Sequence, residues 1–330
     1  MRVGFVGTGL APLDGGGALE RVTAAWAARL GELGHQTVLI SPSQWETQAG
    51  ARSLAERIAE LRPELLVLAN RPRLARLMPA PVLQIMHNWP DAWVSPGESP
   101  VQAGDLKGQH LAAVSPSLAR HISATFSLGC PPLVVRPEVD PSFFEVIRDP
   151  EPGLVIVPSR LMEKKGIRLA LETSEALGRG WRMVFFDYIS PWRIPTAEHT
   201  RLASAIAAGR HAELMPAASK PTEMAVWYGR AQVVLVPSVH PEGLGMAALE
   251  AQAAGVPVVA SAQGGLVDAI FRPNQVVEAD PEIMARAILE AGELGDEQEP
   301  RAAVRALHGP EGSAATLGQA IGHISGCDAR

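Results

Sequence analysis

The chain is poor in the residues on which small secreted and metal-bound domains depend. Its two cysteines, Cys130 and Cys327, stand far apart without metal-like spacing. A disulfide framework and a cysteine-based metal site both drop out, and the thiols are expected to be reduced in a cytoplasmic protein. No apolar run reaches the roughly 20 residues that cross a bilayer. The opening MRVGFVGTGL reads as a short strand, not as a signal sequence with a cleavage site. Only 19% of the residues are charged while 47% are hydrophobic, the balance of a globular chain. Basic charge is also lacking. Residues 1–140 hold 12 basic and 12 acidic side chains, the remainder 17 against 23, for a net charge of -6. No nucleic-acid partner is expected from that balance, and a neutral first half argues against stable membrane association.

What the chain does have is a regular supply of short apolar runs. Residues 3–6, 37–40, 65–68, 82–86, 111–114 and 133–135 alternate with helical or turn-forming stretches, as in a parallel α/β sheet. After a Pro- and Asp-rich connection at 137–152 a second set follows at 154–157, 183–186, 233–236, 256–259 and 276–277. At 330 residues the chain has room for two moderate cores. Two doubly wound, Rossmann-like domains are expected, at 1–145 and 146–310, with 311–330 as a tail packing back toward the first. The polar stretch 292–300 is expected to be loosely ordered.

The richest segment is SVHPEGLGMAALEAQAAGVPVVASAQGGLVDAI, residues 238–270. Pro241, Gly243 and Gly245 make a tight turn before a helix over 246–254, rich in Ala, Leu and Glu. Gly255 closes the helix, and a buried strand and the turn Gly264-Gly265 follow. Glu242 falls in the loop and Glu250 in the helix. Were the helix extended back to Glu242, the two carboxylates would lie about 80° apart on its wheel and share a pocket at its N-terminus, where unpaired N–H groups favour an anion.

A second block, Pro158-Ser159-Arg160-Leu161-Met162-Glu163-Lys164-Lys165-Gly166, follows an apolar strand. Arg160 offers a bidentate fork and Lys165 a point charge, a pair suited to a diphosphate. Together the two blocks resemble the E-x7-E and R-L-x-x-x-K-G motifs of retaining glycosyltransferases of the GT-B fold, specifically glycosyltransferase family 4. Residues 231–238 are similar to the family's strand leading into the glutamate loop. The resemblance implies two Rossmann-like domains facing each other across a cleft, and a nucleoside diphosphate sugar as co-substrate. By that resemblance Glu242 would bind hydroxyls of the donor sugar and Glu250 the nucleotide ribose. Backbone amides of Gly243, Leu244 and Gly245 would support sugar and phosphate, and Lys164 would be a bystander. No metal or other cofactor is expected, the Asp-x-Asp metal site of other glycosyltransferases being absent. Positive charge would come from Arg160, Lys165 and the helix dipole.

The first half offers a glycine loop, Asp14-Gly15-Gly16-Gly17, feeding a helix that runs to about residue 33. Its glycines let the backbone approach phosphate, and Gly16 and Gly17 match the family's donor-contacting pair. The nearby Gly7-Thr8-Gly9-Leu10-Ala11-Pro12 narrowly misses the dinucleotide fingerprint. The third glycine is a proline, and no acidic residue ends the second strand, which weakens an oxidoreductase reading. His87 ends the fourth apolar run and belongs at the sheet's carboxyl edge, matching a family histidine near the reacting sugar. Trp89 and Trp93 suit either stacking on a sugar or cyclitol ring or a place in the core. Asn70, Glu20 and Asp14 are weaker acceptor-side candidates. Val135-Arg136-Pro137-Glu138-Val139-Asp140 departs from the family's I-P-N-G-V-D.

The expectation is a retaining, metal-independent transfer of a sugar to a hydroxyl of a small soluble acceptor, with His87, Arg160, Lys165 and Glu242 at the chemistry. A catalytically silent sugar-nucleotide-binding subunit is the main alternative. The loop near 214–216 is taken as a contact for the nucleotide base.

Overall fold

The central valine-, leucine- and isoleucine-rich runs have no polar face to show to water, and they form parallel strands covered on both sides. The computed structural model of the protein describes residues 1–7, 18–40, 48–94, 98–188, 195–218 and 220–327. One sheet contains β1 (Arg2–Val6), β2 (Gln36–Ile40), β3 (Leu65–Ala69), β4 (Val82–Met86), β5 (His110–Ala113) and β6 (Leu133–Val134). The other contains β7 (Leu154–Val157), β8 (Arg182–Asp187), β9 (Ala212–Pro216), β10 (Val233–Val236), β11 (Val258–Ser261) and β12 (Val276–Val277). The strand orders are β2-β1-β3-β4-β5-β6 and β12-β11-β10-β7-β8-β9. Every pairing between them is parallel.

The order of each sheet locates its binding edge. In the second sheet the chain lays β8 and β9 on one side of β7, then crosses over to lay β10, β11 and β12 on the other. The switch point therefore lies between β7 and β10, where loops leaving the carboxyl ends diverge and leave room for a ligand. In the first sheet the switch lies between β1 and β3. Val155, Val157, Phe185, Val233, Leu235 and Val259 form the middle of the second core, closed by Ile167, Ile206, Met284 and Ile288 from the flanking helices.

The chain divides into two compact units, Met1–Glu138 with Leu307–Arg330, and Val139–Ala306. The last helix, Pro310–Cys327, packs on helix Ala18–Glu32 within the first unit. There Trp26 Nε1 donates to Ser313 Oγ at 3.0 Å, and Ser313 Oγ donates to the Arg136 carbonyl at 2.7 Å. Glu138, where the family pattern has Asn-Gly, is buried and held by both Arg29 Nε and Nη2, at 2.9 and 3.0 Å. That carboxylate, with Glu32, drives the Arg29 pKa upward.

Two expectations are corrected. Residues 214–216 are the end of edge strand β9, paired in register with Phe185, Phe186 and Asp187 of β8. Glu213 and Pro216 break an apolar pattern there, and an edge strand tolerates both because one side of it carries no ladder. The stretch 292–300 is anchored: Glu297 is buried against Arg272, and helix Gln298–His308 begins inside it. Pro300 sits in that helix's first turn, where a missing N–H removes no helical bond.

Candidate functional site

Two loops meet at the carboxyl edge between β7 and β10. The first leaves β7 through Ser159 and Arg160 and tightens into a single 3-10 turn, Glu163–Lys165, ended by Gly166 at φ 72°. A Cβ at Gly166 would lie 1.9 Å from the Pro237 carbonyl oxygen. Only glycine permits that approach, and a left-handed φ compounds the demand. The loop is tied to its neighbour again where Val239 N donates to Lys164 O at 3.1 Å.

The second loop leaves β10 at Pro237 and reaches the helix Met246–Ala253, whose N-cap is Gly245 at φ 106°. Glu242 is not helical. It makes a parallel bridge with Gly264, its carbonyl accepting from Gly265 N at 2.7 Å, so the helical-wheel relation of the two glutamates does not apply. A Cβ on Gly265 would sit 2.2 Å from Gly243 O. The pair Gly264-Gly265 is therefore a backbone seat for the glutamate loop.

These constraints bring Lys165 and Glu242 into contact: Nζ donates to Oε1 at 2.5 Å, with both side chains about four-fifths buried. Ser238 Oγ donates to the same oxygen at 2.5 Å, and Ser261 Oγ holds the Ser238 carbonyl at 2.5 Å. Burial is the largest single influence on the Glu242 carboxyl and favours its neutral form. Lys165, Ser238 and Lys164 together outweigh it and hold the group below its ordinary range. The site thus keeps a carboxylate charged in a half-enclosed position, beside a cation. Arg160 is exposed at the mouth of the first loop and has no ion-pair partner among the described residues.

Glu250, on the helix, receives Tyr228 Oη on Oε2 at 3.2 Å. Gly243 and Leu244 are buried. Neither Ser238 nor Tyr228 stood out in the sequence. Ser238 directly follows the apolar strand and precedes Glu242 by four residues, which is a usable signal. Tyr228 had none beyond being one of two tyrosines in the chain.

In the first unit His87 leaves β4 at the carboxyl edge. Its backbone N–H, and that of Asn88, donate to Asn70 Oδ1 at 2.7 and 3.3 Å. Asn70 itself is buried with φ 53°, so it acts as a brace for the strand end that carries His87. The imidazole lies 5.4 Å from the Trp26 ring. The residue is of intermediate exposure, but its Nε2 is buried and finds no partner among the described residues. Desolvation lowers its pKa to about 3, leaving a neutral ring able to exchange a hydrogen bond with a hydroxyl. Trp93 belongs to the core: it is buried, its indole N–H is donated to Asn88 O at 2.7 Å, and Phe126 stacks on it. Trp89 is half-buried beside the His121 ring, 3.9 Å between centroids. Glu20 lies in the first turn of helix Ala18–Glu32. Gly16, Gly17 and Asp14 lie outside the described residues. Among the described residues no cluster of three His, Cys, Asp or Glu is placed to hold a metal, and no helix is long and apolar enough to cross a membrane.

Known proteins share parts of this sequence and this fold. A D-inositol 3-phosphate glycosyltransferase from Catenulispora acidiphila is 45% identical over 71 residues, covering 22% of this chain and 16% of that protein. The chain therefore matches only a small part of that relative's length. Sucrose-phosphate synthase from Thermosynechococcus elongatus superposes with a TM-score of 0.79 at 16% identity, over 99% of each chain. An Anabaena protein solved in complex with UDP-glucose superposes with a TM-score of 0.73 at 13% identity, over 99% of this chain and 100% of that one. At such identities the likeness establishes the GT-B fold. The family described as "Family 4 Glycosyltransferase in conflict systems" matches residues 106–317. That span takes in the loops that carry Lys165 and Glu242 and all of the second unit, and the chain belongs to this family 4 glycosyltransferase group.

Proposed function

We propose that the protein transfers a sugar, with retention of anomeric configuration, from a nucleoside diphosphate sugar to a hydroxyl of a small soluble acceptor. The observation that carries this reading is the meeting of Lys165 and Glu242 at the switch point, a cation for departing phosphate beside a charged carboxylate for sugar hydroxyls. Arg160 and Lys165 stabilise the charge that develops on the β-phosphate, which is larger in the transition state than in the ground state. They supply the positive charge that a metal supplies in other transferases. Glu242 holds the sugar, and Glu250 the ribose. His87, neutral and with its Nε2 unpaired among the described residues, hydrogen-bonds a hydroxyl near the reacting carbon.

The bond from the anomeric carbon to the β-phosphate oxygen breaks as the acceptor oxygen bonds to the same face of that carbon. The acceptor's proton passes to the departing phosphate oxygen, so no enzyme nucleophile is required. The UDP-glucose complex of the Anabaena neighbour supports the donor class. The inositol phosphate transferase among the relatives supports a cyclitol or saccharide acceptor.

The test is a thermal-shift panel of UDP, GDP, ADP and dTDP, with NAD and NADP as controls, followed by transfer assays with sugars of whichever diphosphate binds. A ligand that binds the native state raises the melting temperature, and the rise grows with the logarithm of its excess over Kd. A selective shift by one diphosphate is expected. A shift by NAD or NADP alone overturns the reading, and binding without transfer to any acceptor favours the silent subunit. A glycosyl adduct trapped on an Asp or Glu and seen by mass spectrometry overturns the front-face chemistry.

A further inference from the structure

Tyr228 is completely buried in helix Pro221–Arg230, and its hydroxyl reaches the helix that carries Glu250. Oη lies 3.2 Å from Glu250 Oε2 and 3.3 Å from the Ala247 carbonyl oxygen. A phenol has one proton to give, and an ionised carboxylate is the stronger acceptor of the two. The ring has little freedom to turn away. Phe143 meets it edge-on, 5.4 Å between centroids at 75°. Arg148 Nη1 donates to the carbonyls of Tyr228 and Ala231, at 3.2 and 2.8 Å, fixing the end of the helix that carries it. Segment and helix are further locked at Gly229, where an added Cβ would lie 3.1 Å from Ile147 O.

A glutamate on a helix has three side-chain torsions, and a half-exposed one that must meet a vicinal diol in a fixed plane loses rotamer freedom when it binds. A rigid donor on one carboxylate oxygen removes part of that cost in advance. We propose that Tyr228 is a positioning residue that presets Glu250 for the 2′- and 3′-hydroxyls of the nucleotide, and thereby makes the site select ribonucleoside over deoxyribonucleoside diphosphates. The proposal rests on the assignment of Glu250 to the ribose made above. It adds the residue that fixes it and the discrimination that follows.

The experiment is calorimetric titration of the native chain and of Tyr228→Phe with UDP, GDP and ADP and their 2′-deoxy counterparts. The native chain is expected to prefer the ribonucleotide by about tenfold or more, the worth of a charge-assisted hydrogen bond. In Tyr228→Phe the preference is expected to fall to within about threefold, because ribonucleotide affinity drops while deoxyribonucleotide affinity holds. A purely structural role would weaken both ligands equally and leave the ratio unchanged, which would overturn the proposal. So would a native chain that binds diphosphates without preferring ribose, or one selective for dTDP, although the donor reading would then survive. Binding of no diphosphate by the native chain would instead remove the donor reading itself, and this proposal with it. Should Tyr228→Phe fail to fold, Phe143→Leu keeps the phenol but loosens its wall, and an intermediate loss of preference is expected; an unchanged preference would overturn the proposal.

Discussion

Lys165 and Glu242 neutralise one another at 2.5 Å, although the proposed chemistry gives each a different part of the donor. Diphosphate must therefore compete with Glu242 for the ammonium. Replacing Glu242 by Gln removes the rival charge and keeps the shape, so nucleoside diphosphate affinity should rise by about tenfold while sugar transfer is lost. Lys165→Ala should lower both, the diphosphate affinity by about tenfold or more. Calorimetry with the diphosphate that binds, beside a transfer assay, separates the two; equal loss of affinity in both variants would undo this division of roles. The Lys165–Glu242 contact is also pH-dependent. The carboxyl lies below its ordinary range in the folded chain. Its stabilising contribution is thus complete above the unfolded pKa and is lost as pH falls through the lower, folded one.

At the scale of elements, the loops that carry Lys165 and Glu242 are both shaped by backbone packed too closely for a side chain. Gly166 touches the Pro237 carbonyl, and Gly265 the Gly243 carbonyl. Gly166→Ala places its Cβ inside van der Waals contact with backbone at a left-handed φ, where nothing flexible is available to yield. It should destabilise the second unit by more than about 1 kcal/mol and displace Lys165 from Glu242. The expected result is a lower melting temperature together with weaker diphosphate binding. A variant that melts lower but binds diphosphate as tightly as the native chain would show that the loop positions nothing. The R-L-x-x-x-K-G pattern thus reads physically as a cation followed by the one residue that lets its loop lie on the next strand's exit.

At the scale of the whole chain, the first unit is closed by the distant C-terminal segment from Leu307 onward, and a histidine is buried in the closure. His308 donates from Nδ1 to the Pro137 carbonyl at 3.0 Å, and burial lowers its pKa to about 4 against 6.5 for a free histidine. Between those values the unfolded chain binds a proton that the folded one refuses, so stability is full above pH 6.5 and falls as the pH drops toward 4. The loss is on the order of 3 kcal/mol. Melting curves between pH 7 and 4 should show it, and His308→Gln should make the profile shallower, the remaining slope belonging to His87, whose pKa desolvation also lowers; an unchanged slope would place the effect elsewhere.

The order of apolar runs determined the two parallel sheets, because a strand buried on both faces must be apolar throughout, and that is visible without neighbours. The strands at 82–86, 154–157, 233–236 and 276–277 coincide with those found. Strand β9 was not legible, since an edge strand has one open side and its composition resembles a loop. The glutamates, Arg160 and Lys165 were legible as types at a spacing. Their relations were not. Glu242 meets Lys165 because β7 and β10, 77 residues apart at these positions, are neighbours in the sheet. Tyr228 reaches Glu250 because a helix from one crossover lies beside the helix of the next. Sequence fixes which groups are charged, rigid or small at each local position. Only the crossover at the switch point decides which of them touch, because the strand order that joins distant segments is set by packing the entire sheet, not by any one of its strands.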